Sequence, residues 1–526
     1  MRWALRWVLT IIPKLDALGQ DALEVSSLIR SVTNRLAPIN KLPNEVLALI
    51  PCWFGDPRER EKIVVTLTHV CRAWRRTFIS CASLWTNFYC TDTHKTRVYL
   101  ERSKSSPINL WLKREKGPIP DDPFLELAPH VIGRLQRLDV ESTSDHLQTI
   151  TQHLVQPAPL LKSLTINCST LIGFEPIPIL TTKLFDGDLS SLNELHIRCI
   201  RTQLPWRGMN NLTSLSLAFV TQPTPSVGQF LDFFESAPRL LVVDLVSATP
   251  AIGTQDRRSV ALAHLRRLTI YGFHPPAVLL NHLIIPVGAE TSIQLETQHL
   301  KINELLPRSP TNLKNLSNFT EVDLHFDQAP LLIEFTGPSG RFTIGLPRCP
   351  NATCFAARVL ERLGTSNIRR LGMGGVFFVA DEIRRAIRSM TGLRTLEVSL
   401  RNGVFPLGLL PSLAPNNVTV CPELEKLVCR VPGGYNVRKV LGFAAGRFSR
   451  GVPLKSIELI SFDAPIRTEW VAELREYVPH VETRVQFRGD DCSFHGDSDE
   501  GDDESLDEDY DEGDDESLDE EYDEGD

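Results

Sequence analysis

The chain has 526 residues, far more than one compact core usually serves, so several domains or a repeat array are expected. Hydrophobic residues make up 42% of it, an ordinary level for soluble proteins, and no run of about eighteen apolar residues exists to span a membrane. Its net charge of −9 conceals an asymmetry: residues 489–526 hold 22 Asp or Glu and no Lys or Arg, while the rest carries 56 basic against 43 acidic side chains, a net of +13.

The first residues, Met1-Arg2-Trp3-Ala4-Leu5-Arg6-Trp7-Val8-Leu9, mimic a secretion signal, but Arg6 interrupts the apolar run and no small-residue cleavage site follows. Eleven cysteines, an odd number with no Cys-x-x-Cys pair, suit reduced thiols in the cytoplasm or nucleus. Residues 15–36 form a helix with a seven-residue pattern. Leu15, Ala22, Ile29 and Leu36 make one row, and Leu18, Val25 and Val32 make the other. The expectation is that this helix, within an N-terminal segment 1–37, packs on the rest of the chain, with dimerisation as the alternative.

Next come two clusters, Leu42-Pro43-Asn44-Glu45-Val46-Leu47 and Val70-Cys71-Arg72-Ala73-Trp74-Arg75. Pro43 sits where a first-turn proline does no harm, and Leu42, Val46, Leu47 and Ile50 fall on one helix face. In the second cluster Cys71, Trp74 and Phe78 share an apolar face, and Arg72, Arg75 and Arg76 point away from it. Between them the Gly55-Asp56-Pro57 turn starts a third helix over 58–68. Three short helices cannot bury enough surface to be comfortable alone, so the module needs a partner.

Pattern and spacing together resemble an F-box over residues 38–90, and the segment Val98-Tyr99-Leu100-Glu101-Arg102-Ser103-Lys104-Ser105-Ser106-Pro107 that follows is similar to that of basidiomycete-fungal F-box proteins, so that the resemblance covers residues 38–112. The resemblance implies docking on a Skp-family adaptor, and through it on a cullin, by Leu42, Pro43, Val46, Leu47, Ile50, Val70, Cys71 and Trp74. It departs at Pro51-Cys52-Trp53-Phe54-Gly55, where a proline ends the first helix early. Residues 91–120 read as a linker with a first strand.

From residue 121 to 488 the chain rhymes. Leu-x-x-Leu-x-Ile, with substitutions, occurs eleven times, from Leu135-x-x-Leu138-x-Val140 to Leu454-x-x-Ile457-x-Leu459. Central positions lie 20 to 31 residues apart except for steps of 54 and 49, in which Ile293-x-Leu295 and Phe342-x-Ile344 look like decayed copies. Such a period is that of a leucine-rich-repeat solenoid, each copy giving a short strand with its leucines inward, and segments such as Ser226–Ser236 and Asp381–Met390 forming the outer wall. Each repeat buries about 5–9 kcal/mol of apolar surface before entropy, so neighbours must stack. Arg198, Arg266, Arg267, Arg369, Arg370 and Arg394 lie in or beside these strands and suggest a basic stretch for an acidic or phosphorylated partner.

No chemistry emerges. Gly372-Met373-Gly374-Gly375 lacks the third glycine of a dinucleotide fingerprint and reads as a turn between repeats. His69, Cys71, Cys81 and Cys90 lack zinc-site spacing, and no cysteine has an activating context. The sequence thus describes an α/β protein: a three-helix F-box, a leucine-rich-repeat solenoid and a disordered acidic tail. The expected function is that of a non-catalytic substrate-recognition subunit of a Skp–cullin–F-box ubiquitin ligase, without cofactor, metal, membrane or specific nucleic acid, binding an unidentified protein. The alternative is a repeat scaffold with no ligase role.

The tail duplicates itself, as residues 501–512 and 513–524, and Ser505 and Ser517 each carry an acidic residue three positions on, which resembles an acidophilic-kinase site. Its charges should act on the basic body or on a basic partner, an attraction that fades as salt shortens the Debye length to about 8 Å. Deleting 489–526 and comparing partner binding at low and moderate salt checks this. Unchanged affinity and unchanged salt dependence would reduce the tail to a solubiliser.

Overall fold

The computed structural model describes residues 2–486 apart from 115–122, 170–178, 181–183, 203–207, 221–224, 251–257, 297–300, 308–311, 327–330, 339, 348–350, 376–380, 400–419, 432–436 and 463. The acidic tail, with Ser505 and Ser517, lies outside the described residues.

A mixed α/β architecture with one 17-stranded sheet dominates the chain. All eleven copies of the leucine pattern are strands of that sheet, from Leu135–Ser142 to Ser456–Ser461. Strands Asn87–Tyr89 and Ile108–Arg114 precede them, and His480–Val485 follows. The sheet therefore begins inside the segment assigned above to the helical module, and the expected linker contains a helix, Thr93–Ser103, as well as a strand.

Neighbours pair in parallel along most of the sheet, so each successive strand is reached by a crossover. The register aligns the two inward positions of the strands that carry the leucine pattern. Leu138 pairs with Leu164, Leu164 with Leu195 and Leu195 with Leu215; two residues on, Val140 pairs with Ile166, Ile166 with Ile197 and Ile197 with Leu217. Two columns of buried aliphatic side chains result, and the residue between them turns to the open face. Helices cover the buried side. Val227–Ser236 starts at a capping box between Ser226 and Gln229 and buries Phe230, Leu231, Phe233 and Phe234 in the shared core. Helix Arg438–Ser449 buries a guanidinium as well: Arg447 donates to the carbonyls of Val420, Cys421 and Leu424 at 3.0, 3.2 and 3.3 Å.

One region departs from the expected succession. Ile293 does lie in a strand, Glu290–Leu295, parallel to Arg267–Gly272. Phe342 and Ile344, however, belong to an antiparallel hairpin, Leu331–Gly337 with Gly340–Leu346, whose second strand returns to pair with Glu290–Leu295. The local order is 290–295, 340–346, 331–337, 321–326 and then 370–375. Only two residues separate Gly337 from Gly340, which permits a hairpin and forbids a crossover. Phe319, Phe335 and Phe342 pack there with ring centroids 5.8 to 6.4 Å apart. Next to them Thr291 interrupts the aliphatic column, its hydroxyl accepting from buried Asn315 at 3.1 Å.

Strand exits also repeat. Cys199, Phe219 and Ser247 all have positive φ, near 50°, and donate to the strand alongside. Gly272 holds the next such place with φ +142, and a Cβ there would lie 2.9 Å from the Ser247 Cα. Stacked turns thus continue the ladder beyond the strands.

The helical module comprises Asn44–Leu47, a 3-10 turn Ile50–Trp53, Pro57–Leu67 and Arg72–Ser80. Asp56 caps the third of these, accepting from Glu59 N at 3.1 Å. Trp74, Phe78, Trp85 and Phe88 carry one unbroken core from the module into the sheet. Trp85 donates to Phe78 O at 2.8 Å, and Arg102 lies 4.3 Å above its ring. Buried Glu61 pairs with Lys95 and accepts from Tyr89 N.

If the columns carry the stability, Ile270→Ala should cost about 2–5 kcal/mol, while Thr269→Ala on the open face should stay within about 0.5 kcal/mol. Chemical denaturation of the two variants measures the contrast.

Candidate functional site

Two surfaces stand out, one on the helical module and one on the open face of the sheet. On the module, Leu42 lies in extended backbone just ahead of helix Asn44–Leu47, and Val46, Leu49 and Trp53 follow at steps of three and four residues along the path Asn44–Trp53. Their relative exposures are 42%, 43%, 56% and 87%, and Val70, at the entrance to Arg72–Ser80, is 53% exposed. Large apolar side chains at such exposure and helical spacing mark a surface lacking its cover.

The structure divides the eight residues expected to touch the adaptor. Leu42, Pro43, Val46 and Val70 are exposed; Ile50 and Cys71 are half-buried. Leu47 and Trp74 are buried in the module itself, so the four positions expected on one face of the first helix serve two sides. Trp74 donates its indole N–H to Asn40, and Thr77 donates to Asn44 at 2.8 Å, fixing the second cluster against the first. Arg72, Arg75 and Arg76 are exposed, as the spacing required. The first α-helix does end early, at Leu47, as the proline implied, but the chain goes on through the 3-10 turn Ile50–Trp53, where buried Pro51 holds an early position at which its missing N–H costs nothing. Leu49 and Trp53, before and within that turn, were not singled out in the sequence. The continued three- and four-residue spacing was the available signal.

On the open face, the six arginines do not form one basic stretch. Arg198 lies 5.8 Å from the ring centre of Phe219, beside an open cleft of about 470 Å³ that also involves Asn167, His196 and Ser216. Eight strand positions away, roughly 38 Å at normal strand spacing, Arg370 is surrounded by carboxylates. Its guanidinium reaches Asp323 at 2.9 Å, Glu397 at 2.8 Å and Glu321 at 3.4 Å. Arg267 approaches Glu290 at 3.8 Å, and Arg394 approaches Glu423 at 3.6 Å. Arg266, Arg369 and Arg394 occupy equivalent places where strands enter the sheet, each donating its backbone N–H to the neighbouring segment, and all three side chains are exposed.

Around Arg370 the open face carries a lattice of alternating charge. Arg430 joins Glu397 at 2.8 Å, Lys426 joins Glu458 at 2.8 Å, and Arg484 approaches Glu458 at 3.6 Å. Burial opposes charge on Arg370, but its bonds to Asp323 and Glu397 outweigh that and hold its pKa above the ordinary arginine value. Burial likewise opposes ionisation of Glu397, and the hydrogen bonds from Arg370 and Arg430 prevail, holding its carboxyl below the usual range. Gly372 makes the lattice possible. A Cβ at this place would fall 1.9 Å from an Asp323 carboxylate oxygen, so the glycine run gives the ion pair its room.

Among the described residues no group of His, Cys, Asp and Glu is arranged to hold a metal ion, and no helix is long and apolar enough to cross a membrane. Burial pushes the Cys421 thiol up to about 11 and the Cys429 thiol up to about 12, away from reactive thiolate. No protein-family model matches the chain, and no curated protein is significantly similar to it.

Because the Glu397 pKa is depressed by folding, its contribution to stability is complete above the unfolded carboxyl pKa of about 4.3 and declines as pH falls through the lower folded value. Glu397→Gln should flatten that acid limb of a stability–pH profile. An unchanged limb would show that the lattice is not coupled to folding.

Proposed function

We propose that this chain is the substrate-recognition subunit of a Skp–cullin–F-box ubiquitin ligase. The exposed apolar side chains Leu42, Val46, Leu49 and Trp53, together with exposed Val70 elsewhere on the module, carry the reading. They lie on the module whose two clusters resemble an F-box, and an adaptor's apolar groove would give them the cover they lack. The repeat reading is supported by eleven pattern copies that fall on strands in matching register, though the hairpin at 331–346 is foreign to a simple array. The sheet's open face, with its cleft in the N-terminal half and its charge lattice in the C-terminal half, would hold the target protein. Its contribution to ubiquitin transfer is proximity, turning a bimolecular attack by a target lysine into a nearly unimolecular one.

A second reading, a repeat scaffold in which the helices serve only as a cap, draws on the unbroken core from Trp74 through Trp85 to Phe88. Co-purification separates the two. A Skp-family adaptor should accompany the chain at equal stoichiometry, and Leu42→Asp with Val46→Asp should abolish that binding without altering the fold, since both side chains are exposed. Trp53→Ala should weaken it by about 2 kcal/mol or more, the loss typical of a buried aromatic anchor. Trp74→Ala should act differently, costing about 3–5 kcal/mol through the module's own core. Undiminished adaptor capture by the Leu42/Val46 double variant would sink the ligase reading and leave the scaffold.

A further inference from the structure

Among the described side chains, the N-terminal helix Arg2–Leu36 does not bury its heptad rows against the rest of the chain. Leu18, Val25, Ile29, Val32 and Leu36 are 52 to 71% exposed, and Ala22 is exposed with them. The side of the helix nearer the module is the opposite one. Ser27 and Asn34, at the positions farthest from the stripe, are half-buried; Ser27 Oγ accepts from Arg72 at 3.1 Å, and Asn40 donates to Asn34 O. The helix is therefore held by its back, with the apolar stripe turned out.

A repeat of 3.5 residues matches another helix and drifts off the face of a globular core. The sequence also selects a direction. In an antiparallel pair centred near Ser27, Leu18 lies level with Leu36, Ala22 with Val32, and Val25 with Ile29. Each layer then combines side chains that fill it, whereas a parallel pair sets Ala22 on Ala22 and leaves a gap. The antiparallel alignment brings position 21, an aspartate, beside position 35 of the other helix, an arginine, twice by symmetry; parallel pairing gives neither an opposite charge.

We infer that this stripe pairs with its counterpart in a second copy of the chain, forming a short antiparallel coiled coil. The inference is independent of the ligase reading, since it uses no residue of the adaptor-facing row. Three heptads make a weak contact, so the dimer dissociates on dilution. If the ligase reading also holds, two adaptor-facing modules are joined in opposite orientation.

Sedimentation of the full chain tests it. The mass should double as concentration rises through the micromolar range, and Val25→Asp with Ile29→Asp should raise the dissociation constant by about tenfold or more. Both side chains are exposed, so the variant keeps its fold, which circular dichroism checks. Direction is read by mild oxidation against the unmodified chain, whose own thiols set the background: Leu28→Cys, beside the two-fold axis, should cross-link to itself, and Ile29→Cys should not. A monomer at every concentration, or a dimer indifferent to the double substitution, overturns the proposal. So does a monomer whose stripe proves to bind the adaptor. Cross-linking through Ile29→Cys in place of Leu28→Cys overturns the antiparallel arrangement.

Discussion

The fold depends on a single registration: two inward side chains per strand, two residues apart, meeting the same two on the strand beside. Leu268 and Ile270 meet Val243 and Leu245 on one side, and Ile270 meets Ile293 on the other. A slip of one residue would turn both columns to solvent, so every strand is held by its neighbours' side chains as firmly as by its backbone bonds. The intermediate position is freed for other work by the same rule. Asp139, His196, Asp323 and Glu397 all occupy it, and from it comes the chemical character of the open face.

Much of this was legible in the sequence because burial demands periodicity. All eleven leucine patterns became strands, and Ile293 was recognised as a worn member of the series. The hairpin was not legible. Phe342-x-Ile344 has the same spacing in an antiparallel strand as in a parallel one, and alternation carries no record of chain direction. A two-residue gap between Gly337 and Gly340 was the available clue. Buried Arg447 was equally hidden, because an arginine on a helix reads as solvated until the carbonyls it satisfies are known.

The candidate surfaces were read less completely, for a related reason. Exposure of an apolar residue cannot be seen in a pattern that records only polarity, so Leu47 and Val46 looked alike although one is core and the other surface. In the same way Arg370 looked like free positive charge. Its three carboxylates come from strands 47 to 49 residues before it and 27 after it. A linear reading sums charge along the chain, whereas the sheet sums it across strands. The proposed receptor accordingly presents two different faces, an apolar row on the helices and a locally neutralised charge lattice on the strands. The continuous core beneath them makes the first a fixed attachment for the second.

The inverted hairpin has a consequence for synthesis from the N-terminus. Up to residue 295 each new strand of the large sheet can pair with the strand of that sheet completed before it as soon as it emerges. Glu290–Leu295 then has to wait, because its next neighbour is Gly340–Leu346, not the strand that follows it in the chain. For that interval the growing sheet ends in an unprotected parallel edge, with its backbone donors and acceptors open to other chains. The aromatic cluster of Phe319, Phe335 and Phe342 can assemble only once residue 342 has been made, so it acts as a clasp, closing the edge when the whole hairpin arrives.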